Sequence, residues 1–125
     1  PSASISFKRM GIDYEIFQLG PRPIRDCIGC NNCHGKCSIF KDDYAAPVHR
    51  FLEKAKEADG FVFGTPVYFA HPSGQILSFL NRVFYSSAVG ELYPVFAGKP
   101  VAAIASARRG GTTAAVDVIQ KYFGI

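Results

Sequence analysis

The stretch GFVFGTPVYFAHPSGQILSFLNRVFY, residues 60–85, decides the predicted fold of this chain. Residues 60–64 are continuously apolar, which is typical of a short strand buried on both faces of a parallel sheet. Apolar side chains then recur at helical spacing, at Ile76, Leu77, Leu80, Val83 and Phe84. The stretch therefore predicts a buried strand, a loop and a helix, in that order.

The residues before this stretch predict a strand, a long loop and a further helix. Residues 13–19 contain β-branched and aromatic side chains and end at a Gly-Pro pair, which favours a strand. Residues 21–43 carry Pro, Gly, Asn, Asp and all the cysteines without a sustained period, which is typical of a functional loop. The helix is indicated by the spacing of Val48, Phe51, Leu52, Ala55 and Ala58. Asp42 and Asp43 are candidates for its cap, and Pro47 is tolerated in its first turn.

Beyond residue 85 the sequence predicts one more strand and one more helix. Residues 101–105, VAAIA, match a second buried strand, and the helix is indicated by Ala115, Val118, Ile119 and Tyr122. Alternating strands and helices indicate an α/β fold whose parallel sheet is covered by helices on both faces. Ligands of such sheets bind beyond the carboxyl ends of the strands. We therefore expect the functional site in the loops that follow the strands.

Length, composition and charge restrict the class of protein. The 125 residues, 48% of them hydrophobic, suit a single domain, residues 1–125, with its own core. No segment holds the roughly twenty uninterrupted apolar residues that a membrane helix needs. A net charge of +4 with dispersed Lys and Arg gives no support to nucleic-acid binding. The start at Pro1 has neither an initiator Met nor a secretion signal, so we expect part of a longer cytoplasmic chain with reduced thiols.

The first of two candidate ligand-binding loops is residues 65–75. Its Thr65-Pro66 pair puts a hydroxyl and backbone groups over the edge of the predicted sheet. Tyr68 and Phe69 offer flat apolar surfaces that can border an aromatic cofactor, or can simply cover that edge. Both interpretations remain open from the residues alone.

The second candidate loop, residues 106–113, joins a glycine pair to the start of a helix. Backbone N–H groups and the positive end of the helix dipole point outward there, beside the guanidinium groups of Arg108 and Arg109. Such a loop suits an electron-rich or anionic ligand. The same pattern also fits an ordinary turn in which Thr112 or Thr113 caps the helix.

Three strings carry a resemblance to a known family. They are IGCNNC at residues 28–33, the stretch from residue 58 to residue 85, and GKPVAAIASARRGGTTAA at residues 98–115. With the intervening helix they closely resemble the NADPH-dependent FMN reductase family, in the flavodoxin-like branch that includes iron-sulfur flavoproteins. The resemblance implies a flavodoxin-like three-layer sandwich that binds FMN, takes electrons from NAD(P)H and passes them to a quinone, a free flavin or another small acceptor. It also suggests homodimers or homotetramers.

The same resemblance assigns flavin contacts to both loops. In the first loop they are Thr65, Pro66, Val67, Tyr68 and Phe69, and in the second they are Ser106, Arg108, Gly110, Gly111 and Thr112. Because the cofactor supplies the redox chemistry, no side chain is needed as a catalytic base. Arg108 and Arg109 have three open roles: stabilising the reduced ring, binding the phosphate of the nicotinamide nucleotide, or pairing with surface carboxylates. Among the histidines, His71 is placed for contact with a substrate.

Several features depart from the family pattern. Nothing before Ser6 supplies the usual first strand with its loop for the FMN phosphate, and the chain stops at Ile125, ahead of the usual last strand and helix. Asn81 stands where the Asp of an Asp-Arg pair is common, while Arg82 is retained. We therefore expect a flavodoxin-like domain without these terminal elements.

The cysteines form one run, Cys27-x-x-Cys30-x-x-Cys33-x-x-x-Cys37. This is the spacing of the bacterial ferredoxin run, whose thiolates hold four-iron clusters, with Ser38 in place of the usual Pro. The resemblance to iron-sulfur flavoproteins implies a 4Fe-4S cluster that relays electrons between FMN and a protein partner such as a ferredoxin-type carrier. Structural zinc and free or redox-active thiols are the other interpretations of the run.

Overall fold

The computed structural model describes residues 2–34, 37, 46–89 and 95–124. In chain order its elements are α1 (Ser2–Arg9), α2 (Ala46–Glu57), β1 (Phe61–Tyr68), β2 (His71–Pro72), α3 (Gly74–Val89), β3 (Val101–Ser106) and α4 (Thr112–Lys121). The predicted α/β class is confirmed. Asp42 and Asp43, the predicted cap candidates of α2, lie outside the described residues. None of the helices in these ranges has the length and hydropathy of a membrane span.

The predicted helix ahead of β1 is confirmed as α2. Val48, Leu52 and Ala55 are spaced four and three residues apart and are all buried, which gives the helix one apolar face. Pro47 lies in the first turn, where its missing N–H removes no helical hydrogen bond. At the other end, Lys99 Nζ donates to the carbonyl oxygen of Ala55 at 2.8 Å. That contact satisfies one of the terminal acceptors of α2.

The described strands form one sheet in the order β2-β1-β3. β1 and β3 are parallel, in a register that runs from Phe61 opposite Val101 to Pro66 opposite Ser106. β2 pairs antiparallel with the end of β1, so the sheet is mixed and not parallel throughout as predicted. β1 is also longer than the predicted strand at residues 60–64. Pro66 is the last residue of β1 that pairs with β3, and at this end of the pairing its missing N–H costs little stability.

Helices α2, α3 and α4 contribute to a core on one face of the sheet. This core contains Ile24, Val48, Leu52, Phe63, Ile76, Phe79, Leu80, Val83 and Ile119. On the opposite face Val62 is 44% exposed and Ile104 49% exposed. The prediction of strands buried on both faces is therefore wrong for the described residues. Alternate side chains of a strand point to opposite faces, and the described helices cover only one of them, so this part of the chain forms two layers and not the expected three.

Residues 13–19 do not form the predicted strand in the described structure. A strand needs a neighbour for its N–H and C=O groups, and no described strand pairs with these residues. Their side chains instead contact helices. The ring of Phe17 lies 5.4 Å from that of Phe51 and 6.2 Å from that of Phe79, between centroids. Lys54 donates to Glu15 at 2.6 Å. The apolar content that favoured a strand thus serves packing against α2 and α3.

Candidate functional site

The first candidate loop does not begin at residue 65 as predicted. It begins after Tyr68, with a tight hairpin turn. β1 continues to Tyr68, which pairs with His71, and the chain reverses through Phe69 and Ala70. Both turn residues have positive φ, 52° and 59°. A two-residue hairpin of this kind favours Asn-Gly, because a residue with a Cβ is strained at positive φ. Backbone strain of this kind is concentrated at functional sites.

Most of the predicted flavin contacts are open to solvent at this end of the sheet. Phe69 is 104% exposed and Tyr68 61% exposed. The other exposed members are Pro66, Ser106, Arg108, Gly110 and Thr112, while Val67 and Gly111 are half-buried. We call the surface formed by these residues the ligand edge. Two flat aromatic rings without cover give it the character of a stacking surface.

Thr65 differs from the other predicted flavin contacts, because its side chain is buried. Its hydroxyl accepts a hydrogen bond from the backbone N–H of Ser73 at 3.1 Å and donates to the carbonyl oxygen of Pro66 at 2.9 Å. The bond from Ser73 joins the end of β1 to the residue that precedes α3. In the described structure Thr65 therefore supports the ligand edge from inside the fold.

The second candidate loop leads from β3 into α4. Gly111 is the N-cap residue of α4, with φ 91°, and Thr112 is the first helical residue. The interpretation in which Thr112 or Thr113 caps the helix is therefore wrong. Within the described part of the chain no side chain makes a cap hydrogen bond at Gly111. The positive end of the α4 dipole is thus left without a side-chain cap beside the ligand edge.

The two loops touch at Gly111. A Cβ added at this residue would lie 2.5 Å from the Cα of Ala70, 2.9 Å from its Cβ and 3.2 Å from Cγ1 of Val67. Only glycine permits so close an approach at this backbone conformation. The hairpin and the β3–α4 loop, both predicted to contact the flavin, therefore form one continuous surface.

The cysteine run lies on the loop before α2, and all its thiols are free. Cys33 and Cys37 are buried and face each other across an isolated antiparallel bridge, whereas Cys27 is half-buried and Cys30 is exposed. Burial raises the pKa of Cys33, and the neighbouring thiols of Cys37, Cys30 and Cys27 raise this pKa further. Cys33 and Cys37, the two residues of the bridge, are thus the buried part of the run.

The ligand types of this region fit an iron-sulfur cluster. Thiolates in the ferredoxin spacing are the ligands of four-iron clusters, and mutual repulsion between crowded thiolates is relieved when a cluster binds them. Among the residues that the structure describes, no three Cys, His, Asp or Glu side chains are already close enough to hold a single metal ion. The thiol donors and their ferredoxin spacing therefore support cluster binding.

Comparison with known proteins identifies the family. The family model described as NADPH-dependent FMN reductase matches residues 3–125. The chain belongs to the NADPH-dependent FMN reductase family. Membership of this flavodoxin-like family agrees with the parallel β1–β3 pair and with a ligand edge at the carboxyl ends of these strands.

The curated proteins that this chain resembles include iron-sulfur flavoproteins. One from Methanocaldococcus jannaschii is 34% identical over 115 residues, which is 90% of this chain and 56% of the relative. Another, from Archaeoglobus fulgidus, is 40% identical over 76 residues, which is 60% of this chain and 35% of the relative. The chain thus spans about half the length of the first of these relatives. No solved structure gives a significant match.

Side chains of helix α3 form hydrogen bonds with the loop that carries the cysteines. Gln75 Nε2 donates to the carbonyl oxygen of Gly20 at 2.5 Å, near the start of the helix. Farther along, the hydroxyl of Tyr85 donates to Oδ1 of Asn31, between Cys30 and Cys33. Sequence reasoning did not predict these contacts, because each joins residues more than fifty positions apart.

Asn81, the departure from the common Asp-Arg pair, has a partner in the same loop. Its Nδ2 donates to Oδ1 of Asp26 at 2.9 Å, and the same oxygen accepts from the backbone N–H of Cys27 at 2.7 Å. The hydroxyl of Tyr122 donates to Oδ1 of Asn81. Burial raises the pKa of Tyr122, and Asp26 raises this pKa further. An aspartate at position 81 would face Asp26 with a like charge, so the amide suits this loop.

Arg82, which the sequence analysis noted only as a retained residue of the family pattern, and His49 are functional candidates to which it assigned no role. Both contact Cys37: Nε and Nη2 of Arg82 donate to its Sγ at 3.4 and 3.3 Å, and Nε2 of His49 lies 2.6 Å from its carbonyl oxygen. A signal for Arg82 exists in the sequence, since it is the only charged residue of α3. A charge on an apolar helix needs a partner from another element.

Proposed function

We propose that this chain forms the flavin-binding part of an FMN-dependent NAD(P)H oxidoreductase that reduces a quinone, a flavin or another small acceptor. The observation that carries this proposal is the contact of Gly111 with Ala70, which makes the hairpin and the β3–α4 loop one surface. Membership of the FMN reductase family supports FMN as the ligand of this surface. When bound, FMN would supply the redox chemistry, since its ring can accept a hydride and pass the electrons on to an acceptor.

The residues of the ligand edge would bind and orient the cofactor and take no proton themselves. Tyr68 and Phe69 offer exposed rings for contact with a planar ring system. The uncapped start of α4 and the charge of Arg108 favour an electron-rich or anionic group beside them. No step of this proposal requires a catalytic base from the chain.

The experiment uses the full-length protein and starts from its flavin absorption and its bleaching by NADPH or NADH. The informative variant is Phe69→Asn, because asparagine tolerates the positive φ of 52° while the ring is lost. We expect its unfolding free energy to rise by about 1 kcal/mol. Loss of the aromatic contact, about 0.5–1.5 kcal/mol, should raise the Kd for FMN roughly two- to twelvefold.

The matched control is Ala70→Gly, which relieves similar strain at φ 59° and leaves both rings in place. This variant should gain stability without losing affinity for FMN. An unchanged FMN affinity in Phe69→Asn would remove Phe69 from the binding surface. A full-length protein that neither contains nor binds FMN would refute the proposed function.

A second candidate function is an electron relay in which Cys27, Cys30, Cys33 and Cys37 hold a 4Fe-4S cluster. The ferredoxin spacing of these cysteines, the bridge between Cys33 and Cys37 and the names of the curated relatives favour it. Electrons would then pass between FMN, the cluster and a protein partner such as a ferredoxin-type carrier. A homodimer or homotetramer is part of both proposals.

Iron and sulfide assays on full-length protein purified without oxygen test the relay. About four iron atoms per chain, and their loss in Cys30→Ser, would support a cluster. Ile28→Ser, at an exposed position of the same loop, is the control and should keep its iron. Flavin without iron would leave the oxidoreductase as the function and the cysteines as free thiols.

A further inference from the structure

Arg82 is the most deeply buried charged side chain of the described core. It is only 1% exposed, although arginine is among the residues that are rarely buried. Two nitrogens on one edge of its guanidinium, Nε and Nη2, donate to Sγ of Cys37 at 3.4 and 3.3 Å. Nη1 donates to the carbonyl oxygen of Arg25 at 3.4 Å. The guanidinium therefore contacts the cysteine loop just before the run of ligands, at Arg25, and at the last ligand of the run, Cys37.

The acceptor in this arrangement is unusual. A neutral thiol is a weak acceptor of hydrogen bonds, whereas charge-assisted bonds to an anionic acceptor are the strong ones, and arginine forms them in pairs. A buried guanidinium with two donors on one sulfur thus suits a sulfur that carries negative charge, as a cluster ligand does. His49 holds the carbonyl oxygen of the same Cys37 at 2.6 Å, so this cysteine is fixed through its side chain and its backbone.

We propose that Arg82 is a positioning residue that orients Cys37 as a ligand of an iron-sulfur cluster and raises the reduction potential of that cluster. This inference rests on the second candidate function, cluster binding by the cysteine run. Reduction adds one electron to an already anionic cluster, and a buried cation beside a ligand sulfur stabilises the added charge. Hydrogen bonds to the sulfurs are among the features that set cluster potentials.

The test is a redox titration of the full-length holoprotein, purified without oxygen, in which the cluster is followed by electron paramagnetic resonance and the flavin by absorption. In Arg82→Gln we expect the equilibrium constant for cluster reduction to fall at least tenfold, which is a 59 mV decrease for a one-electron couple. Arg82→Lys keeps the charge but loses the paired donors, so its potential should lie between those of Arg82→Gln and wild type.

Two internal controls separate this role from a general effect of charge or folding. Lys56→Gln removes a cation from an exposed ion pair with Glu53 on α2 and should leave the cluster potential unchanged. The potential of bound FMN should stay constant in every variant. If Arg82→Gln loses its cluster but keeps FMN, a lowered cluster potential in Arg82→Lys supports the proposal.

Two results would overturn the inference, and both are distinguishable from the result that would refute the proposed function. If the cluster potential of Arg82→Gln equals that of wild type, the arginine does not set the reduction potential of the cluster. If Arg82→Gln holds no cluster, a wild-type potential in Arg82→Lys leads to the same conclusion. A wild-type protein with FMN but no iron removes the cluster and this inference together, and leaves the oxidoreductase standing. A protein without FMN refutes the proposed function itself.

Discussion

Replacing Gly111 by alanine is expected to break the contact that joins the two halves of the ligand edge. The added Cβ would lie 2.5 Å from the Cα of Ala70, a backbone atom that cannot rotate away. The residue also has a φ of 91°, which alanine adopts only with strain. The hairpin or the start of α4 must therefore move in this variant.

The magnitude follows from these two terms. Holding a non-glycine residue in a left-handed conformation costs about 1–2 kcal/mol. Forcing extra atoms into a packed contact adds about 1–3 kcal/mol. The expected loss in the free energy of unfolding is therefore about 2–5 kcal/mol, a large part of the roughly 5–15 kcal/mol of a typical domain.

Urea unfolding of the FMN-free protein, followed by circular dichroism, measures this loss, and an FMN titration in the absence of urea measures the affinity. Gly110→Ala is the matched control, because no described atom lies within 4 Å of a Cβ at Gly110 and no positive φ is found there. We expect Gly110→Ala to match wild type in stability, whereas Gly111→Ala should lose both stability and FMN affinity. Equal stability of the two variants would refute the close contact of Gly111 with Ala70.

Two further predictions concern buried groups. Thr65→Val should lose about 1–3 kcal/mol in urea unfolding, because the N–H of Ser73 is left without its acceptor, while Thr65→Ser keeps the hydroxyl and should lose less; equal losses would show that the hydroxyl does not matter. The pKa of the Cys33 thiol is raised in the folded state above the ordinary thiol value of 9.0, so as pH rises the unfolded state loses the thiol proton first. The stability of the metal-free protein should therefore fall as pH rises from 9.0 through the folded pKa. Unfolding measured across this pH range in Cys33→Ala should lack that part of the decline, and an identical decline in the variant would contradict the assignment.

Helices α2, α3 and α4 could be predicted from the sequence because each buries one face at a regular spacing, whereas α1, none of whose described residues is buried, was not predicted. In α2 the apolar positions Val48, Leu52 and Ala55 are all buried. The strands were predicted less well. Their apolar runs located residues 60–64 and 101–105, but the apolar side chains of Val62 and Ile104 gave no sign that they would be exposed in the described structure.

The strand predicted at residues 13–19 is wrong for a reason that the segment itself does not contain. Strand propensity measures how side chains fit a pleated surface, and hydrogen bonding requires a second strand. Phe17 fits equally well against the rings of Phe51 and Phe79, where no such partner is needed. Local composition could not distinguish these two kinds of burial.

The position of the ligand edge could be predicted, because parallel strands bring their carboxyl ends to one side of a sheet. Pro66 and Ser106 are register partners, as that rule requires. The contact between Gly111 and Ala70 depends on the exact course of both loops, which no periodicity encodes. The inward role of Thr65 likewise became visible only through its bond with Ser73.

Helix α3 connects the ligand edge to the cysteine run. It begins behind the hairpin, where Thr65 holds Ser73, and it carries Arg82 to Cys37. From Gly74 to Arg82 the helix rises about 12 Å at 1.5 Å per residue. An uncharged, apolar helix would pack against the sheet equally well, so packing alone gives no reason for a buried guanidinium at this position. The reason lies outside the helix, in the sulfur that it contacts, and a lone charge in an apolar helix is therefore a sequence signal for a site on a neighbouring loop.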